Sequence, residues 1–139
     1  MSKNLNIYFC GSISGWRDDR EEYAQLIEYI ENIWHNVLTK HVWYKNPYSR
    51  WLSSKEIFEK DYDWLRESNV VIAEISTLSH GVGVEIWLAI TNEKPILTLR
   101  KEWKWISPMI EWAPNSHHKI YKNIEEVKKQ VYEFLSFNF

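Results

Sequence analysis

The chain has 139 residues, 45% of them hydrophobic, which is enough for one hydrophobic core and too little for a second, so residues 1–139 are expected to form a single domain. Seventeen basic and nineteen acidic side chains leave a net charge of −2, which argues against a nucleic-acid or anionic-membrane partner, and a lone cysteine, Cys10, excludes an internal disulfide or a cysteine-based zinc site. No apolar run reaches the length of a membrane span and the first residues lack the layout of a signal peptide, so a cytosolic or nuclear location is expected.

Leu5 to Cys10 reads as a strand that runs directly into Gly11-Ser12-Ile13-Ser14-Gly15. Tyr23, Leu26, Ile27, Ile30 and Trp34 then recur at helical spacing, with Asp18 and Asp19 in the first turn. A second strand is expected over Val37 to Val42, followed by an irregular aromatic loop from about Trp43 to Leu52 around Asn46-Pro47. Ser53, with Glu56 three residues on, has the form of a capping box and opens a helix toward Ser68. Asn69 to Ser76, N-V-V-I-A-E-I-S, is a β-branched run of the kind found inside a parallel sheet. Val82 to Ile90 reads as a buried helix. Pro95 to Leu99 gives a fourth strand, Ser107 to Trp112 a short helix with a proline at its first position, and His118 to Tyr121 a weak fifth strand. An amphipathic helix from about Ile124 to Leu135 closes the chain.

Strands alternating with helices on short connections predict an α/β fold. The expected form is a doubly wound, flavodoxin- or Rossmann-like parallel sheet of five strands in the order 2-1-3-4-5, with helices on both faces. Ligands in such folds bind beyond the C-terminal strand ends, near the switch in strand order. The four glycines, Gly11, Gly15, Gly81 and Gly83, all follow the first and third strands, which that order makes neighbours. Glycine serves where backbone meets a ligand or takes positive φ, so the pattern points to one shared pocket.

Glu85 is the anomaly in this picture. It is the only charged side chain between Val82 and Ile90, and a carboxylate among apolar neighbours is costly unless something satisfies it. The positive end of the helix dipole is expected to favour its ionised form, which suits a nucleophile better than a proton donor. The loop from Gly11 to Gly15, with Arg17 just beyond, offers backbone N–H groups, two hydroxyls and a cation to an anion or sugar. Serine and glycine also cap helices for purely structural reasons, and Ser79 shares that ambiguity. Tyr8 can either hydrogen-bond a carboxylate at the strand end or simply pack. Asp61 and Asp63 lie two apart on a helix and point in different directions, so at most one enters a pocket. His41, ending the second strand, is open to a structural or a catalytic role. His117-His118 lacks helical spacing and nearby acidic partners, so no metal and no cofactor are expected.

Taken in order, I-Y-F-C-G-S-I-S-G-W-R, V-L-T-K-H-V, D-Y-D-W-L-R-E-S-N-V-V-I-A-E-I-S, S-H-G-V-G-V-E and S-P-M-I resemble the 2′-deoxynucleoside 5′-phosphate N-hydrolases, relatives of the nucleoside 2-deoxyribosyltransferases. The similarity runs from Ile7 to about Ile110. It implies cleavage of the N-glycosidic bond of a deoxynucleoside monophosphate, releasing the base and deoxyribose 5-phosphate. By the same resemblance Glu85 is the nucleophile that forms a covalent glycosyl intermediate, Asp61 assists the leaving base, and Tyr8 orients Glu85. Gly11, Ser12 and Ile13 match sugar and base contacts, His41 a pocket residue, and Ser79 a phosphate-binding serine. Ser107 and Met109 match positions that the family supplies from a neighbouring subunit, so a homodimer with shared sites is implied. Ser14 stands where those hydrolases usually carry arginine, and Trp16 replaces a small residue. Two rival readings remain: a deoxyribosyltransferase that passes the sugar to a second base, and a nucleotide-binding module without turnover.

Overall fold

A computed structural model of the protein describes residues 3–12, 16–40 and 52–139, and of residues 16–19 the backbone alone. In chain order the elements are β1 (Asn6–Gly11), α1 (Trp16–Asn32), β2 (Asn36–Val37), α2 (Ser54–Glu67), β3 (Val70–Glu74), α3 (His80–Thr91), β4 (Ile96–Lys101), α4 (Pro108–Glu111), β5 (Ser116–Tyr121) and α5 (Ile124–Phe137). The strands form one sheet, parallel throughout, in the order β2-β1-β3-β4-β5. That is the expected 2-1-3-4-5 order, and it puts the C-terminal ends of β1 and β3 side by side, with Gly11 opposite Glu74.

Both faces of the sheet are covered, which is why β1 and β3 are apolar without alternation. Ile7, Phe9, Val70 and Ile72 pack with Tyr23, Leu26 and Ile30 of α1 and Val131 of α5. Tyr8, Cys10, Val71 and Ala73 point the other way, into a second cluster with Leu65 of α2 and Ile86 and Ala89 of α3. The two-residue period of β1 therefore sends Tyr8 toward the layer that carries Glu85.

Several boundaries differ from expectation for identifiable reasons. The second strand ends at Val37 because the Thr39 side chain takes over the pairing: its Oγ1 accepts from the Phe9 amide at 3.1 Å and donates to the Phe9 carbonyl at 2.7 Å. Residues 38–40 of the predicted strand form a turn, and its last two residues, 41–42, together with the aromatic loop from Trp43 to Trp51, lie outside the described residues. Trp34 is not part of the helical core face. It takes φ 75° just past α1, is 80% exposed, and closes the helix while the His35 amide donates back to the Ile30 carbonyl at 3.2 Å. The capping box on α2 is present in both directions, Ser53 Oγ accepting from the Glu56 amide and Glu56 Oε1 from the Ser53 amide. α3 begins two residues earlier than predicted, so Gly81 and Gly83 lie inside the helix and not in a loop.

Candidate active site

On α2, Phe58, Asp61, Tyr62 and Leu65 follow one another at i, i+3, i+4 and i+7, which lays them along a single stripe. That stripe faces α3 and Tyr8 of β1. Between them lies a cavity of about 310 Å³ whose walls include Tyr8, Phe58, Asp61, Tyr62, Glu85 and Leu88. Across the cavity the Tyr8 hydroxyl donates to Glu85 Oε2 at 2.5 Å. Ser79 fixes the start of α3 by accepting from the Val82 amide at 3.3 Å, and two turns of helix then carry Glu85 to that point.

Burial is the main influence on Glu85 and raises its carboxyl pKa; the bond from Tyr8 opposes this and the Asp61 charge adds to it, leaving the group pushed up to about 7. Burial thus outweighs the helix dipole that is expected to favour the charged form. Glu85 is the sixth residue of α3, and the dipole's influence fades beyond the first turn, so desolvation wins. Tyr8 is driven far above the ordinary tyrosine range, chiefly by burial and then by the Glu85 charge, which keeps its hydroxyl a proton donor. A carboxylate titrating near neutrality, held by a permanent donor and facing a second carboxylate, has the makings of nucleophilic or acid–base chemistry.

A second cavity, of about 370 Å³, lies on the other side of the first turn of α3 and is lined by residues that include Ser79, Val82, Gly83, Trp105, Ser107 and Met109. His80 is common to both cavities. The Ser107 hydroxyl accepts from the Met109 amide at 3.2 Å and so caps α4. Within one chain, then, Ser107 and Met109 adjoin Ser79 but do not line the cavity that holds Glu85.

Gly81 sits beside the reactive carboxyl: a Cβ there would stand 3.9 Å from Glu85 Oε1. Gly83 faces open space. None of the described glycines takes positive φ, so the expected backbone reason for them does not hold. Gly11 is needed for packing, because a Cβ would lie 3.0 Å from the ring of Tyr23. Gly11 and Ser12 are both buried and are not among the described lining of either cavity, while the rest of their loop, 13–15, lies outside the described residues. Asp63 turns outward and pairs with Arg66, so one of the two α2 aspartates reaches the cavity. Ile13, Ser14, Gly15 and His41, and the side chain of Arg17, lie outside the described residues.

Sequence reasoning overlooked three features. Phe58 and Tyr62 share the Asp61 stripe, which their spacing alone would have shown. His80 was passed over as part of a turn. Glu74, buried at the end of β3, accepts from the Tyr23 hydroxyl at 2.9 Å and from the Ser76 amide at 3.0 Å, and also binds the Ser76 hydroxyl. This network props Tyr23 against Gly11, and no local pattern announces it.

The sequence profile of a family described as nucleoside 2-deoxyribosyltransferase matches residues 7–131. A Trichoplax adhaerens protein provisionally named 2′-deoxynucleoside 5′-phosphate N-hydrolase 1 is 39% identical over 113 residues, covering 80% of this chain and 78% of the relative. A Danio rerio protein named 5-hydroxymethyl-dUMP N-hydrolase is 35% identical over 144 residues, covering 96% of this chain and 100% of its own. Among solved structures, Clostridium botulinum CMP N-glycosidase BcmB aligns with a TM-score of 0.70 over 93% of this chain and 98% of its own, at 22% identity, a likeness of fold. The profile match over most of the chain, together with these relatives, means that the chain belongs to the nucleoside 2-deoxyribosyltransferase family.

Proposed function

We propose that this protein is an N-glycosidase that hydrolyses 2′-deoxynucleoside 5′-monophosphates to free base and deoxyribose 5-phosphate. The observation that carries the proposal is the Tyr8–Glu85 hydrogen bond inside a cavity that also receives Asp61. Tyr8 engages Oε2, which leaves Oε1, on the Gly81 side, as the attacking oxygen. In the first step Glu85 Oε1 bonds to the anomeric carbon as the bond to the base nitrogen breaks. The bonding pair leaves with the base, and Asp61 supplies its proton. In the second, water attacks the same carbon, gives its proton to Asp61, and releases Glu85. A carboxylate nucleophile divides one difficult displacement into two easier ones. The names of the Trichoplax and Danio relatives support a monophosphate substrate and hydrolysis.

Ser79, in the wall of the second cavity, and His80, shared by both, are the groups assigned to the 5′-phosphate. The working unit in this reading is a homodimer in which Ser107 and Met109 of one subunit complete the phosphate end of the other's site. Their position outside the Glu85 cavity of their own chain supports that exchange.

The family description favours one competing reading, base exchange on deoxynucleosides. Incubating the protein with a deoxynucleoside and with its monophosphate, each with and without a second free base, separates the two. Hydrolysis of the monophosphate alone is expected; exchange on the unphosphorylated substrate would establish the transferase. Glu85→Ala is expected to abolish turnover while retaining measurable nucleotide binding, and a variant as fast as the parent would remove Glu85 from its assigned role.

A further inference from the structure

Ile96 of β4 packs in the cluster that holds α3, and the two-residue period of a strand puts Thr98 and Arg100 on that same face of the sheet. His118 of β5 stands beside Thr98 in the strand register and touches both. Its Nδ1 lies 2.9 Å from Thr98 Oγ1, and Arg100 Nε donates to its Nε2 at 3.5 Å. A guanidinium has donors only, so Nε2 carries the lone pair, the ring is neutral, and its one proton sits on Nδ1 facing Thr98. Arg100 also donates from Nη1 to the Lys104 carbonyl. The turn from Lys101 to Lys104 is already closed by its own backbone bond, the Lys104 amide donating to the Lys101 carbonyl at 3.0 Å, so forming it does not require the arginine. What Arg100 adds is a tie between that turn and the sheet.

Just past the turn come Trp105 and Ser107, which line the cavity that contains Ser79. We propose that Arg100 is a positioning residue for Ser107 and that His118 makes its hold depend on pH, because a proton on Nε2 removes the acceptor and sets a second cation against the guanidinium. This rests on the glycosidase reading above, in which Ser107 serves the phosphate end of the site, and adds to it a control of substrate affinity by acid. Burial is the main cause that lowers the pKa of His118; the Arg100 charge lowers it further, and the Glu111 charge, from α4, opposes both. Ser116 and Ile120, on the same face of β5, carry no charge. Once released, the ring takes a proton at the ordinary histidine value, whereas the ring held against Arg100 takes one only at lower pH. The hold is therefore complete above the ordinary value and is lost as pH falls through the lowered one.

The test compares the parent, His118→Gln and Arg100→Met at about pH 7.5 and about pH 5, on either side of the ordinary histidine range. Glutamine offers Arg100 an acceptor that does not titrate, and Arg100→Met gives up the tie at every pH. Hydrogen exchange of the Lys104 amide, corrected for the intrinsic effect of pH, reads the tie directly. Its protection is expected to fall about 10-fold at the lower pH in the parent, the scale of one hydrogen bond to a charged group, to stay within about twofold in His118→Gln, and to be low throughout in Arg100→Met. Kinetics read the consequence, with His118→Gln sharing the titrations of Glu85 and of the substrate's phosphate. At the lower pH the parent's KM for a deoxynucleoside monophosphate is expected to exceed that of His118→Gln by about threefold or more, at equal kcat, and the two are expected to agree at the higher pH. Lys104 protection that responds to pH alike in the parent and His118→Gln overturns the proposal and leaves the glycosidase reading standing. So does protection lost in the parent alone while KM stays within about twofold of His118→Gln, which marks the tie as a support for the turn. A parent that hydrolyses no deoxynucleoside monophosphate at either pH defeats the glycosidase reading, and the positioning of Ser107 with it.

Discussion

At the scale of single residues, Glu85 is governed by two neighbours that pull its titration in opposite senses. Tyr8 donates to the charged carboxylate and favours it; Asp61 places a like charge nearby and disfavours it, on top of the larger cost of burial. A nucleophile must be ionised, so kcat/KM is expected to rise with pH along an acid limb centred near Glu85's value of about 7. Tyr8→Phe removes the donor, raises the carboxyl's pKa and moves the limb to higher pH. Asp61→Asn removes the proton donor as well as the like charge, so kcat/KM is expected to fall at every pH while the limb of the remaining activity moves to lower pH. The pH–rate profiles of the two variants decide the matter, and limbs shifted in the same direction would contradict this account. A carboxylate stranded among apolar residues was plain in the sequence. Its titration was not, because that depends on β1 and α2, which meet α3 only in three dimensions.

At the scale of elements, the helices close without glycine. Trp34 ends α1 at φ 75° and Glu93 ends α3 at φ 55°, the latter with the Lys94 amide donating to the Ala89 carbonyl at 2.9 Å and the Glu93 amide to the Ile90 carbonyl at 3.0 Å. A side chain in the left-handed region costs about 1–2 kcal/mol, and glycine returns part of that through the freedom of the unfolded chain. Glu93→Gly is therefore expected to stabilise the protein by about 0.5–1 kcal/mol, read as a higher urea midpoint at constant slope. Because α3 runs back from the site, the substitution falls at the far end of the sheet, and kcat/KM is expected to be unchanged. These terminations explain why the sequence was legible in its elements yet less so at their edges. The β-branched run over residues 70–74 and the 53/56 capping pair are local signals, and both were readable. The αL turn at Trp34 and the Thr39 side chain substituting for a strand ladder are choices that the tertiary contacts impose, so Trp34 was read as core and β2 as too long. The candidate site divided in the same way. Asp61 could be set beside Glu85 from the family motifs, whereas the packing of Gly11 against Tyr23 depends on a contact between β1 and α1 that no local pattern announces.

At the scale of the whole molecule, the side of α3 and α4 that carries Ser107 is unusually apolar for a surface. Trp87 is 61% exposed, Trp112 80% and Met109 82%, and these three line one shallow cavity with Ile86 and Ile90. Apolar area gathered in this way marks an association surface in general, and here it borders the cavity that contains Ser79. If two copies join through it as proposed, each site draws Glu85 from one chain and Ser107 from the other, and the two groups can be disabled separately. Glu85→Ala removes the nucleophile. Ser107→Glu sets a negative charge where the substrate's phosphate is to be bound. Each variant alone is expected to be inactive, since both sites of its dimer carry the same defect. Mixed and allowed to exchange subunits, about half of the dimers become hybrids in which one site holds both defects and the other holds none. Activity should then recover to about a quarter of the parent level per subunit, and should do so only after exchange. A mixture that stays inactive while sedimentation or mass measurement shows the hybrid dimer would mean that each chain builds its site alone, with Ser107 acting from within its own subunit.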